Sequence, residues 1–186
     1  MNKITYLIAG KTQYKLHSPF VFSLYTEVLL PKVDKRLLKI KELSYSDRRN
    51  AAFVYKIVDY YELKNVFMQY VDREGNNDLF LWAEDVLPEV SGVQVNRMGD
   101  EKDILGSPNL LLCDVAGFVS AKEERKSFFS TETVAVVTGI HTSSENERLW
   151  RVISNDNSNI LVIDIYSMGI VFFRKELSVQ RFILKV

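Results

Sequence analysis

The sequence predicts an α/β fold, a mostly parallel β-sheet with helices on both faces, closed by an antiparallel hairpin and preceded by N-terminal helices. Three observations predict it. From residue 65 onward, short apolar runs alternate with amphipathic helical stretches, as in strand–helix units. The runs are apolar on both of their faces, which suits strands covered on each side. Near the end, Ile160 to Tyr166 and Ile170 to Arg174 flank Met168-Gly169, the signature of a tight hairpin.

The first third reads as helices. Ser18 before Pro19 is an N-cap with proline in the first turn. Val21, Leu24, Tyr25, Val28 and Leu29 then recur on one helical face that ends before Pro31. Val33, Leu37, Ile40 and Leu43 suggest a second helix, with Lys35, Arg36, Lys39 and Lys41 outward. Ser46 can cap a third, with the face Ala51, Val54, Tyr55, Val58 and Tyr61. Asn65 to Val71 reads as the first strand, and Leu79, Trp82, Ala83, Val86 and Leu87 as a helical face stopped at Pro88. Val93 to Met98 and Asn109 to Val115 are the next strands. Ser120 with Glu123 makes a capping box for a helix reaching Phe129. Thr133 to Thr138 is a further strand, Ser144 with Glu147 caps the helix through Leu149, Trp150 and Ile153, and Gln180 to Val186 adds a final strand.

The chain has 186 residues, 47% apolar and 12% aromatic, a composition that argues against disorder at a length that buries about 70% of the unfolded surface. No linker or repeat divides it, so residues 1–186 read as a single domain, helices over 1–64 and the sheet over 65–186. The 24 basic and 24 acidic side chains cancel, and no net field draws nucleic acid or a membrane surface. They are unevenly spread, at +6 over residues 1–64, −8 over 65–158 and +2 over 159–186. Helices whose charge attracts the acidic middle of the same fold account for this. Nucleic-acid binding through Lys35, Lys39, Arg48 and Arg49 is the weaker alternative. No apolar stretch has the length of a membrane span, the start lacks the pattern of a secretory leader, and Cys113, the one cysteine, fits a reducing, cytoplasmic setting.

Ligands in such sheets bind beyond the carboxyl ends of the strands. Those ends fall near Tyr70 to Asp72, Met98 to Asp100, Asp114 to Ala116 and Thr138 to His141. The first is followed by Arg73-Glu74-Gly75-Asn76-Asn77; one glycine beside two carboxylates is a poor phosphate cradle, and capping of the next helix suits it better. Asp114 ends an apolar strand where a carboxylate commonly faces a ligand. Its neighbours supply no second metal ligand, and alternation turns Cys113 into the core. His141 could act as a general base or tie down the next helix. Two histidines and one cysteine are too few for a usual zinc site, so no metal is expected.

Two phrases carry more than pattern. HSPFVFSLYTEVL at 17–29 and IDIYSMGIVFFRKE at 163–176 resemble the start and end of a group of bacterial class I S-adenosylmethionine-dependent methyltransferases. YYELKNV at 60–66 and IHTSSENERLWRVI at 140–153 resemble it more weakly, in the same order. The resemblance implies a Rossmann-like sheet and S-adenosylmethionine as cofactor. In that family the first strand ends in an acidic residue and a glycine-rich turn; here Met68 and Tyr70 take those places. The acidic residue that holds the ribose falls on Arg97-Met98-Gly99, with Asp100 displaced beyond it. Asp114 matches the acidic residue after the family's fourth strand, Thr138 and Gly139 replace its paired acids, and His141 matches a motif histidine.

Only ten residues, 99–108, separate the second strand from the strand holding Asp114, where the family places a helix, a third strand and another helix. Ten residues span at most about 35 Å, so the third, edge strand is expected to be missing. The expectation is therefore a shortened methyltransferase-like protein with a degenerate cofactor site and a non-catalytic binding or scaffolding role. The alternative is an active small-molecule methyltransferase in which Asp72, Gly75 and Asp100 border the cofactor, Asp114 orients substrate and His141 is the base. Omitting the third strand would leave a sheet edge open to pairing, and a homodimer along it is one expected partner arrangement.

Overall fold

The computed structural model describes residues 3–12, 16–32, 43–70, 78–99, 108–129, 133–158, 160–173 and 177–186. Helix α1 spans Lys3–Ala9, α2 spans Pro19–Ser23 and continues as a π-helix over Leu24–Leu29, and α3 spans Tyr45–Tyr60. Strand β1 is Asn65–Gln69, followed by α4, Asp78–Asp85, and α5, Leu87–Ser91. Then come β2, Gln94–Arg97, β3, Asn109–Asp114, α6, Val115–Glu124, and a single 3₁₀ turn, Lys126–Phe128. The chain ends with β4, Thr133–Thr138, α7, Ser144–Asn155, β5, Leu161–Asp164, β6, Met168–Phe172, and β7, Gln180–Ile183.

The seven strands form one sheet in the order β2-β1-β3-β4-β6-β5-β7. The first four run parallel, β6 is antiparallel to both β4 and β5, and β7 is parallel to β5. This is the Rossmann-like, mostly parallel α/β fold with a C-terminal antiparallel hairpin that the sequence predicts. With β2 at an edge of the sheet, no third strand flanks it among the described residues; residues 100–107 of the connection to β3 lie outside them.

Alternation along each strand divides the interior in two. Val66, Met68, Leu110, Leu112, Val134 and Val136 face the N-terminal helices, α4 and α5. Phe67, Leu111, Cys113, Ala135, Val137 and Val171 face Phe118 and Ala121 of α6 and Trp150 and Ile153 of α7. Cys113 is fully buried as alternation requires, and burial pushes its thiol well above the ordinary value. Gly169 on β6 lets the sheet touch α7, because a Cβ there would come within 2.0 Å of the Trp150 ring.

Several boundaries differ from the sequence reading. The hairpin turns at Ile165–Ser167, one step before Met168-Gly169, which are already in β6. Tyr166 there takes a left-handed backbone at φ 68°, held by its N–H bond to Asp164 Oδ1 at 2.8 Å. Ser44, not Ser46, caps α3 by accepting the Asp47 N–H. Ser143, not Ser144, caps α7 by accepting the Asn146 N–H. Asp114 itself caps α6, so that helix starts five residues before Ser120, whose hydroxyl bonds Glu124 instead. Pro88 opens α5 rather than ending the helix before it, since proline suits a first turn. The helix expected over 33–43 lies almost wholly outside the described residues.

Candidate functional site

Beyond the C-terminal ends of β3 and β4 lies a cleft of about 830 Å³. Asp114, Val115 and Ala116 reach it from the β3–α6 junction, and Thr138 to Thr142 with Asn146 from the β4–α7 junction. Tyr45, Ser46, Asp47, Arg49 and Asn50 bring the first turns of α3 to it, Lys3 comes from α1, and Leu79 and Phe80 come from α4. Tyr166 and Ser167, the turn of the hairpin, complete the wall. Two of the four strand ends singled out from sequence thus converge, and Asp114 and His141 share one cleft.

Asp114 is half-buried, and its Oδ1 accepts the Gly117 N–H at 2.5 Å. The carboxylate therefore satisfies an orphan donor and sits at the positive end of α6. Beside it, the Thr138 hydroxyl donates to the Cys113 carbonyl at 3.2 Å, tying the ends of β3 and β4 together.

His141 is tied more tightly. Its Nε2 lies 2.8 Å from Asp164 Oδ2, and its Nδ1 lies 3.5 Å from Glu147 Oε1. The same Asp164 oxygen accepts the Trp150 indole N–H at 3.1 Å. The imidazole stacks on Tyr166, centroids 5.4 Å apart, and Tyr166 in turn contacts the Tyr6 ring at 5.0 Å. Burial, followed by the nearby Asp164 charge, raises the Tyr6 phenol above its ordinary value, and that phenol donates to the Leu184 carbonyl. His141 is thus the hub of a packed network, the anchoring role that the sequence offered beside catalysis.

Of the residues proposed to border a cofactor, Asp72, Gly75 and Asp100 lie outside the described residues. The described part of that end of β1 is crowded. The Tyr70 ring packs on Phe80 with centroids 4.6 Å apart, and a Cβ on Gly117 would come within 2.2 Å of the Gln69 carbonyl oxygen. Among the described residues no three His, Cys, Asp or Glu side chains converge as a metal ion would require, and no helix is long and apolar enough to cross a membrane. Lys35 and Lys39 lie outside the described residues; Arg48 donates to the Leu43 carbonyl and Arg49 to that of Val186.

Sequence reading missed the α3 contribution, Lys3, the Tyr166-Ser167 turn and Asp164. Asp164 had a visible signal, a lone carboxylate in the apolar run Ile160 to Ile165. The others are brought in by tertiary packing. Four buried polar atoms lack a hydrogen-bond partner among the described residues, and three of them, Asn50 Oδ1, His141 Nδ1 and Ser167 Oγ, belong to residues of the cleft wall. Comparison of the chain with protein-family models, with curated protein sequences and with solved structures finds no match.

Proposed function

We propose that this chain is a methyltransferase-like protein whose S-adenosylmethionine site has degenerated and whose role is non-catalytic binding through the cleft at the ends of β3 and β4. The observation that carries this reading is the close approach of Gly117 to Gln69, with Tyr70 packed on Phe80 beside it. A nucleoside cofactor needs bare main chain beyond the first strand, and there the start of α6 and an aromatic pair stand instead. The described residues do not fit the cofactor, so no chemical step is routed through it. The His141–Asp164 contact also favours binding over turnover, because the imidazole is held between two carboxylates. Calorimetric titration of the full chain with S-adenosylmethionine and S-adenosylhomocysteine tests the reading. No heat of binding is expected at micromolar ligand, and micromolar affinity overturns it.

One observation favours a second reading, an active small-molecule methyltransferase with an altered pocket: Asp114 and His141 line the same cleft. Transfer of a labelled methyl group from S-adenosylmethionine to a metabolite extract would support it.

A further inference from the structure

We propose that the cleft at the ends of β3 and β4 binds a small hydroxy-carboxylate carried on an apolar body. This rests on the binding reading above and names its ligand class.

The carboxylate follows from the direction of three helices. α3, α6 and α7 have 16, 10 and 12 residues, and each brings its first turn to the cleft through Ser46, Ala116 and Asn146 respectively. Helix N-termini favour negative charge, and the cationic Lys3 and Arg49 stand on the same wall. The two carboxylates of the wall are engaged in local capping, Asp47 accepting the Ser44 hydroxyl at 2.6 Å and Asp114 the Gly117 N–H.

The hydroxyl follows from a separate observation. Asn50 is 6% exposed, lies on the cleft wall, and leaves its amide oxygen without a donor. The terminal torsion of asparagine is soft, so a small rotation presents that oxygen to a ligand. Ser167 Oγ is likewise buried and unpartnered. An acceptor beside three helix N-termini calls for a neutral donor, since an ammonium would be repelled by the dipoles and by Lys3 and Arg49. Leu79, Phe80 and Ile140 on the wall supply apolar surface for the rest of the molecule, and the volume is that of an ordinary small-molecule site.

Four probes separate these elements: 3-phenyllactate, 3-phenylpropionate without the hydroxyl, phenylalanine with an ammonium in its place, and 2-phenylethanol without the carboxylate. Titrated calorimetrically against the full chain, 3-phenyllactate should bind, 3-phenylpropionate about three- to tenfold more weakly, phenylalanine more weakly than 3-phenyllactate, and 2-phenylethanol not at all. Asn50→Asp, which sets a new negative charge beside the ligand, and Ser167→Ala should each weaken 3-phenyllactate at least threefold, with folding checked by circular dichroism. Binding of none of the four, equal binding of 2-phenylethanol and 3-phenyllactate, or unchanged affinity in the folded variants overturns the proposal. Should Asn50→Asp fail to fold, the probe series and Ser167→Ala decide. S-adenosylmethionine run in parallel keeps the two readings apart: its binding with methyl transfer refutes the non-catalytic reading, whereas silence toward all probes refutes the ligand class alone.

Discussion

Asp164 Oδ2 lies 2.8 Å from His141 Nε2 and 3.1 Å from Trp150 Nε1, so one buried carboxylate oxygen joins the loop after β4 to the helix that follows it. Its other oxygen accepts the Tyr166 N–H. Asp164→Asn keeps the shape and removes the charge that serves all three donors. A loss of about 3 kcal/mol is expected, read as a shift in the urea midpoint, with altered near-ultraviolet circular dichroism from Trp150.

Gly169→Ala should cost about 3 kcal/mol, because the added methyl meets the buried Trp150 ring at 2.0 Å. Pairing it with Trp150→Phe should recover part of the loss, and a double-mutant cycle measures the coupling.

Gly117→Ala is expected to cost a similar amount, about 3 kcal/mol, since the atom it meets, the Gln69 carbonyl oxygen, is main chain and cannot swing aside. Asp114→Ala, by contrast, removes only a helix cap and should cost about 1 kcal/mol in denaturant unfolding. A much smaller effect for Gly117→Ala would mean that α6 stands off the end of β1.

At Asp156, burial pushes the carboxyl upward, but the Lys122 ammonium at 2.7 Å and the N–H and O–H of Ser158 outweigh it and hold the group at about 2. The folded value lies below the unfolded one of 3.8. The stabilisation is therefore present above that value and is lost as pH falls from about 4 toward about 2. Asp156→Asn should flatten the dependence of the unfolding midpoint on pH in that window and leave its slope near neutrality unchanged.

Tyr6→Phe removes the hydroxyl that donates to the Leu184 carbonyl and should cost about 1 kcal/mol. Hydrogen exchange should also quicken at the Lys11 amide, which bonds Ile183 in the same clasp.

The scaffold was legible in the sequence because burial on both faces leaves a local trace. Thr133–Thr138 runs apolar from Val134 to Val137, and the strand occupies those six residues. The ends of β3 and β4 could likewise be named as the site, since strand polarity alone decides which end of a parallel sheet binds. Caps were less legible. Ser44 and Ser46, or Ser143 and Ser144, are chemically equal candidates, and the choice falls to the residue whose backbone is extended where the chain enters the helix. Asp114 showed the opposite ambiguity, a strand end and a helix cap in one residue. The α3 wall was beyond reach, because Asn50 meets Ser167 across the cleft only after 117 intervening positions have folded.

The insertion of β6 between β4 and β5 sets an order on assembly. As the nascent chain leaves the ribosome, β1 to β4 can pair in sequence, but β5 emerges next with no open neighbour to join. It must wait for Met168–Phe172, fold back on that segment, and enter the sheet as half of a preformed ribbon. Hairpins close in microseconds, whereas long-range parallel pairing is slow. The exposed flank of β4 is thus the surface at risk of mispairing during translation, and a pause after residue 164 would prolong that risk.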